Sequence, residues 1–216
     1  MILALEFSSS QRSVAIARDG RVLAETCETG ERATNAFGMI ETVLAAGKIA
    51  RAEVECLAIG LGPGSYTGIR VSLAIAQGWQ LAADAKLLGI GSVDCLAAQA
   101  QVAKIFGRVN LVIDAQRGEF YLATKEISAT SMEDIAPLQI VTAADVEARV
   151  NAGEILTGPD VTRRFTAGLN LFPSAAMLAT LAARRCDFIA GEKLEPIYLR
   201  ETTFVKAPPA RTVANT

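Results

Sequence analysis

Short apolar runs separated by turn residues fill the start of the chain. Residues 2–6 (Ile-Leu-Ala-Leu-Glu) and 13–17 (Ser-Val-Ala-Ile-Ala) have the length and composition of buried strands. Asp19-Gly20 follows, a pair that tolerates the positive φ of a tight hairpin, and residues 21–26 return as a third strand. Over residues 35–46 the period changes. Met39, Ile40, Val43 and Leu44 recur at helical spacing, with Gly47 as the stop. Residues 56–59 are again strand-like and lead through a glycine-rich stretch into a helix ending near residue 83. A strand over 86–90 and a helix to residue 104, capped by Ser92, complete this part. The order β-β-β-α-β-α-β-α predicts a meander feeding parallel crossovers, the ribonuclease-H-like plan of a mixed α/β sheet.

The second half repeats a reduced form of this order. Residues 110–114 and 120–124 flank the turn Gln116-Arg117-Gly118, Thr142 is placed to cap a helix over 143–150, and residues 154–157 form a strand before Gly158-Pro159. Ser174 is placed to cap a helix over 175–185, and residues 196–200 are the last ordered segment. The expectation is two related subdomains with mixed sheets, residues 1–105 and 106–206, and a disordered tail over 207–216 that contains Pro208-Pro209. No internal sequence repeat is visible, so the relation between the halves rests on element order alone.

Composition narrows the function classes. Of 216 residues, 51% are hydrophobic and 20% charged, which predicts a packed core. A net charge of -2 provides no basic field, so any RNA contact is expected to be shared with a partner. Cys27, Cys56, Cys95 and Cys186 form no CxxC pair and read as reduced core residues of a cytoplasmic protein. The chain has no histidine, which excludes histidine triads, histidine general bases and the usual zinc and non-haem iron sites. Met1 leads directly into the first apolar run. Neither a signal peptide nor a membrane span is expected.

The glycine-rich stretch is Gly60-Leu61-Gly62-Pro63-Gly64-Ser65-Tyr66-Thr67-Gly68-Ile69-Arg70. A Walker A loop requires Lys and then Ser or Thr after its last glycine, and here Ile69-Arg70 follows Gly68. A dinucleotide fingerprint fits poorly as well, because Ser65 stands at its third glycine position. Gly62 and Gly64 permit conformations closed to other residues, Pro63 stiffens the turn, and Ser65 or Thr67 can cap the helix. Two readings stay open: an anion at the helix amides, or small residues that let the helix approach the sheet. The residue chemistry favours the second.

The helix that follows carries no charge over residues 71–83. Val71, Ala74, Ile75, Gly78 and Leu81 share one side, and Ile69, Leu73, Ala76 and Gln80 another. Such a helix is either buried on both sides, here by the second subdomain, or docked against another chain. Together with Ala36, Met39, Ile40, Val43 and Leu44 of the preceding helix, residues Gly68, Val71, Ala74, Ile75 and Gly78 are the expected partner interface, in a four-helix arrangement.

Glu6 ends the first strand, where related folds place an acid that works on metal or phosphate, and Ser8-Ser9-Ser10 follows it. Asp114 ends the matching strand of the second half. These residues motivate a rival reading as a small actin-like ATPase or kinase, or a ribonuclease-H-like nuclease. A two-metal nuclease requires further converging carboxylates, and no third acid is comparably placed. A capped, structural Glu6 is the competing reading. Tyr121, Tyr198 and Trp79 read as packing residues.

With the meander, the loop Gly62-Pro63-Gly64-Ser65-Tyr66-Thr67-Gly68-Ile69-Arg70 and the hairpin containing Asp114 and Arg117-Gly118-Glu119 in view, the chain resembles the TsaB (YeaZ) family of bacterial tRNA threonylcarbamoyladenosine biosynthesis proteins. The resemblance extends over nearly the whole chain, including Gly158-Pro159-Asp160 and Pro196-Ile197-Tyr198-Leu199-Arg200. It implies an actin-like, Hsp70-like and sugar-kinase-like fold. It further implies a non-catalytic scaffold for the paralogue TsaD, with the ATPase TsaE as a further partner. TsaD carries a histidine metal motif and transfers the threonylcarbamoyl group to adenosine 37 of tRNAs reading codons that begin with A. This chain, without histidine, is then expected to have no catalytic or metal residues and no cofactor of its own, with ATP or ADP held in the assembled complex. Self-association when alone and tRNA contact only through the complex are also implied. Three departures weaken residual nucleotide chemistry: Glu6-Phe7-Ser8 where members usually begin Asp-Thr-Ser, Thr34-Asn35 where His-Ser is common, and Gly158-Pro159 in place of a double glycine. Glu6, Ser8 and Asp114 are accordingly a vestigial nucleotide site.

Overall fold

A computed structural model of the chain describes residues 1–30 and 35–200. The expected tail over 207–216 lies outside the described residues. Five strands, β1 (Ile2–Glu6), β2 (Gln11–Arg18), β3 (Arg21–Thr29), β4 (Cys56–Gly60) and β5 (Lys86–Ile90), form the first sheet in the order β3-β2-β1-β4-β5. A second sheet contains β6 (Gly107–Asp114), β7 (Glu119–Ile127), β8 (Met132–Thr142), β9 (Ile155–Gly158) and β10 (Leu169–Asn170) in the order β10-β9-β6-β7-β8. In each sheet the central strand pairs antiparallel with the strand after it and parallel with the fourth: β1 with β2 and β4, β6 with β7 and β9. The two halves therefore share one plan. This is the actin-like, ribonuclease-H-like α/β fold with two mixed sheets.

Turn chemistry fixes the meander. Asp19 and Gly20 have φ of 50° and 78°, the twisted geometry that matches strand twist across a two-residue turn. The helices are α1 (Ala36–Gly47), α2 (Tyr66–Ala83), α3 (Ser92–Val102), α4 (Ala143–Asn151) and α5 (Ala175–Ala182). Thr142 caps α4 in a reciprocal box with Asp145, and the Ser174 hydroxyl accepts from the Met177 amide to cap α5. Two expected signals act one residue away. The left-handed residue ending α1 is Lys48, with Gly47 still helical. The N-cap of α3 is Gly91, which leaves the Ser92 hydroxyl free for another bond described below.

Strand β8 is the element that apolar pattern alone does not predict. Its inward positions, Ala136, Leu138 and Ile140, alternate properly, but Pro137 within the run argues against a central strand. The conflict resolves because β8 is an edge strand, pairing only with β7.

The first sheet is covered on both faces, which is why its strands read as nearly continuous apolar runs. Leu3, Leu5, Val14 and Ile16 face α1 and α2. The alternate positions Ala4, Ala15, Ala17 and Ala58 are small and admit α5 through Ala175, Leu178, Ala179 and Ala182. Helix α3, although it follows β5, presents Leu96, Ala97 and Ala100 to Val109, Leu111 and Tyr121 of the second sheet. The other face of that sheet packs Val112, Phe120 and Leu122 on Val146 of α4 and on Phe165. Each half thus lends a helix to the other, and α5 belongs with the first sheet. The two sheets are separated in the chain between Ile90 and Gly107, with α3 and α5 exchanged across that division. The chain recrosses after β10, because the alanine face of the first sheet is completed only by α5.

Candidate functional site

The glycine-rich stretch leaves β4, crosses the β1–β2 turn and enters α2. A Cβ at Gly64 would lie 2.1 Å from the Ser8 carbonyl oxygen, and one at Gly68 would lie 2.0 Å from that of Phe7. The Ser65 amide donates to the Ser8 oxygen at 2.7 Å, and the Ser65 hydroxyl caps the helix by accepting from the Gly68 amide. Gly62 (φ 86°) offers its carbonyl to the Ser92 amide at 2.8 Å. The two readings left open by the sequence are separated by this packing. Gly64 and Gly68 serve the close approach of α2 to the backbone of residues 7 and 8. Pro63 is buried, whereas Thr67 and Arg70 face outward, and the Arg70 guanidinium lies 4.0 Å from the centroid of the Tyr66 ring.

Glu6 is fully buried at the end of β1. One carboxylate oxygen accepts from the Ser8 amide at 2.7 Å and the other from the Ser92 hydroxyl at 3.2 Å. Burial pushes the carboxyl pKa up, and the bonds from Ser8 and Ser92 pull it part of the way back. Gly60 leaves room for this group, since its Cβ would stand 2.0 Å from a Glu6 oxygen. Asp114 is exposed and accepts from the Gln116 amide at 2.7 Å. The two carboxylates expected to share a site are therefore each engaged within their own half, and Ser8, also buried, is held against the loop. Among the described residues no group of three or more His, Cys, Asp or Glu side chains is placed to hold a metal ion.

Other polar groups at this end of the sheets are matched across the halves. The Ser10 hydroxyl bonds the Asp160 carboxylate. At the N-terminus of α5, the Ala175 amide donates to Ser13 Oγ at 2.7 Å and the Ala176 amide to the Glu25 carboxylate at 3.0 Å. These are the amides that a helix N-terminus otherwise offers to an anion.

The expected interface divides. Ala36, Met39, Ile40, Val43 and Leu44 of α1 are all buried against the first sheet, as are Gly68 and Ile75 of α2. Helical spacing identifies residues that share a face but not which way the face looks, and here the apolar stripe of α1 looks inward. Val71 is half-buried, while Ala74 and Gly78 are exposed. The outward surface is completed by residues left out of that interface: Leu81, 90% exposed, and Phe37, 71% exposed. Ala74, Gly78 and Leu81 follow one another at helical spacing and form a single uncharged stripe. A large aromatic at position 37, off the buried stripe of α1, was the available signal for an outward role. The cysteine expectation divides too. Cys56 and Cys95 are buried, with the Cys56 thiol pushed up to about 11 by burial, but Cys27 and Cys186 are exposed.

Fold and site together define a class: an actin-like α/β module whose inter-sheet groups bond one another and whose second helix shows an uncharged outer stripe. A family model described as TsaD: tRNA N6-adenosine threonylcarbamoyltransferase matches residues 30–199. The chain is 30% identical to the tRNA threonylcarbamoyladenosine biosynthesis protein TsaB of Haemophilus influenzae, over 96% of this chain and 97% of that protein. Identity to TsaB of Escherichia coli is 28%, over 97% and 99%. A crystal structure from Pseudomonas aeruginosa, described as an uncharacterized protein with similarity to peptidase YEAZ, superposes with a TM-score of 0.76 at 26% identity, covering 92% of this chain and 99% of that one. The chain belongs to the TsaB (YeaZ) family. Among its described residues no helix is long and apolar enough to cross a membrane.

Proposed function

We propose that this chain serves threonylcarbamoyladenosine formation in tRNA as a non-catalytic subunit that docks and supports the catalytic paralogue TsaD. The observation that carries the reading is the exposed stripe Ala74, Gly78 and Leu81 on a helix whose opposite side is core. Among the described residues, its own helix aside, nothing lies within 4 Å of a Cβ placed at Gly78, so a partner backbone can come close there. A paralogue with the same fold carries an equivalent helix pair, and two pairs pack as four helices around such a seam. The same stripe gives a self-complementary two-fold contact when the chain is alone. TsaE joins the assembled pair, ATP or ADP is bound in the assembly, and tRNA is reached through it in the cytoplasm.

The burial of Glu6 speaks against a small ATPase, kinase or nuclease, because its carboxylate is closed off from solvent and accepts from Ser8 and Ser92 inside the fold. The test is reconstitution of the modification from purified TsaD, TsaE, this chain, ATP, the threonylcarbamoyl donor and unmodified tRNA, read as the modified nucleoside by mass spectrometry. Product is expected only when the chain and TsaD are both present. Equal product without the chain, or product from the chain in the absence of TsaD, refutes the reading.

A further inference from the structure

The last described segment runs back over the first half and ends on the second. Ile189 bridges to Leu87 at the edge of the first sheet, and Gly191 is held from both sides, its carbonyl by Gln77 Nε2 and its amide by Gln80 Oε1, each at 2.8 Å. Leu194 enters the core beside α2. The Ile197 amide then donates to the Leu61 carbonyl at 2.9 Å, directly on the glycine-rich loop. The Tyr198 ring stacks on Tyr66 with centroids 5.8 Å apart, and its hydroxyl accepts from Arg70 Nε at 3.4 Å. Arg200 reaches the other half, donating to the Ala115 carbonyl at 3.2 Å and pairing with the Glu119 carboxylate at the tip of the β6–β7 hairpin. Elsewhere the halves are joined by the packing of α3 on the second sheet and of α5 on the first, and by polar pairs that include Ser10 with Asp160 and Lys125 with Asp94.

We propose that residues 191–200 are a clasp that sets the angle between the two halves and holds the first turn of α2 in place. One short stretch is anchored on the middle of α2, on the glycine-rich loop and on the opposing hairpin. Movement of the hairpin away from the loop must break the Arg200 contacts or pull Tyr198 off Tyr66. A cleft of about 330 Å³ lies beside the clasp, lined by Pro63, Val93, Lys125, Pro137, Leu138 and Ile197, and the clasp side chain Ile197 forms part of its wall. The Arg200 bonds are charge-assisted, and Tyr66, Arg70 and Tyr198 form a stacked cation–π cluster, so the fixing is directional as well as apolar. The inference goes beyond docking and holds whatever covers the outer stripe.

The test uses the free full-length chain, its Tyr198→Ala and Arg200→Ala single variants and the double variant, read by hydrogen exchange. Residues 198 and 200 are not core, so the fold is expected to persist. Exchange in the double variant is expected to rise about tenfold or more across residues 61–70 and the hairpin tip 115–119, with the centres of β4 and β6 unchanged. Arg200→Ala alone should free mainly the hairpin tip. Unchanged exchange at both places overturns the clasp. So does equal acceleration everywhere including β4 and β6, which describes a segment that only adds global stability. Because no partner is present, failure here leaves the docking reading standing, and failure of docking leaves the clasp.

Discussion

Gly68 and Gly78 lie on the same helix and meet opposite surroundings. At Gly68 an added methyl would collide with the Phe7 carbonyl, a backbone atom of the central strand's continuation; at Gly78 it would meet no described residue outside its own helix. The first glycine lets α2 sit on the sheet, and the second thins an outer surface that is exposed among the described residues. A small residue in a helix therefore carries two different meanings, close internal packing or an open seam, and only the neighbour decides between them. The same contrast divides the whole region. Its inner end, with Gly60, Gly64, Glu6 and Ser92, is closed by internal bonds, and its outer stripe is exposed among the described residues.

The sharpest way to break this contrast is to add the same methyl at both positions. Gly68→Ala should cost about 3 kcal/mol, because backbone rather than a movable side chain is in the way. Gly78→Ala should instead stabilise by about 0.8 kcal/mol, the helix-propensity difference at an exposed interior position. Denaturant midpoints measure both, and equal signs would remove the distinction. Charge at Val43 or Ile75, by contrast, falls in the core and tests the fold rather than the surface.

The closed end is sharpened by Glu6. Glu6→Ala leaves the buried Ser8 amide without its acceptor and should cost about 1–3 kcal/mol, whereas Glu6→Gln keeps an acceptor for Ser8 and should stay within about 1 kcal/mol of the wild type. The pH dependence has a definite sign. The folded-state pKa is raised above the ordinary 4.5, so the native chain keeps this proton over a window where the unfolded chain has released it. The Glu6 contribution is full below the unfolded pKa and is lost as pH rises through the folded one. Glu6→Gln should flatten that part of a stability-versus-pH curve, and an unchanged slope would mean the carboxyl is not desolvated in solution.

The smallest effect concerns the thiols. Cys27 and Cys186 should alkylate in the native state at neutral pH, while Cys95 and Cys56, the latter with its thiol near pKa 11, should react only after unfolding. Mass spectrometry of partially labelled protein reads the order directly.

Much of the fold was legible because its signals are local. Asp19-Gly20, the capping residues Thr142 and Ser174, and the change of period at residue 35 all act through neighbouring residues, and they yield the shared plan of the two halves. What escaped depends on long-range packing. Pro137 hides β8 until the strand is known to lie at an edge, and no local signal assigns α5 to the first sheet or α3 to the second. The site was half legible for the same reason. The glycines and the uncharged helix mark the region, but spacing could not say that Met39, Ile40 and Val43 look inward. Phe37, off the buried stripe of α1, was the one outward signal, whereas Leu81 becomes recognisable only when the sheet supplies a direction.

We propose the outer stripe of α2 as the docking face for TsaD. The test is calorimetric titration of purified TsaD with the wild-type chain and with Gly78→Glu and Leu81→Asp, after thermal unfolding shows that both variants still unfold cooperatively within a few degrees of the wild-type midpoint. Both substitutions point into open solvent in the free chain. Stability is expected to stay within about 1 kcal/mol of the wild type and affinity to fall about a hundredfold or more, the scale of a charge placed at the centre of an apolar seam. Wild-type affinity in both variants, with the fold intact, would contradict it.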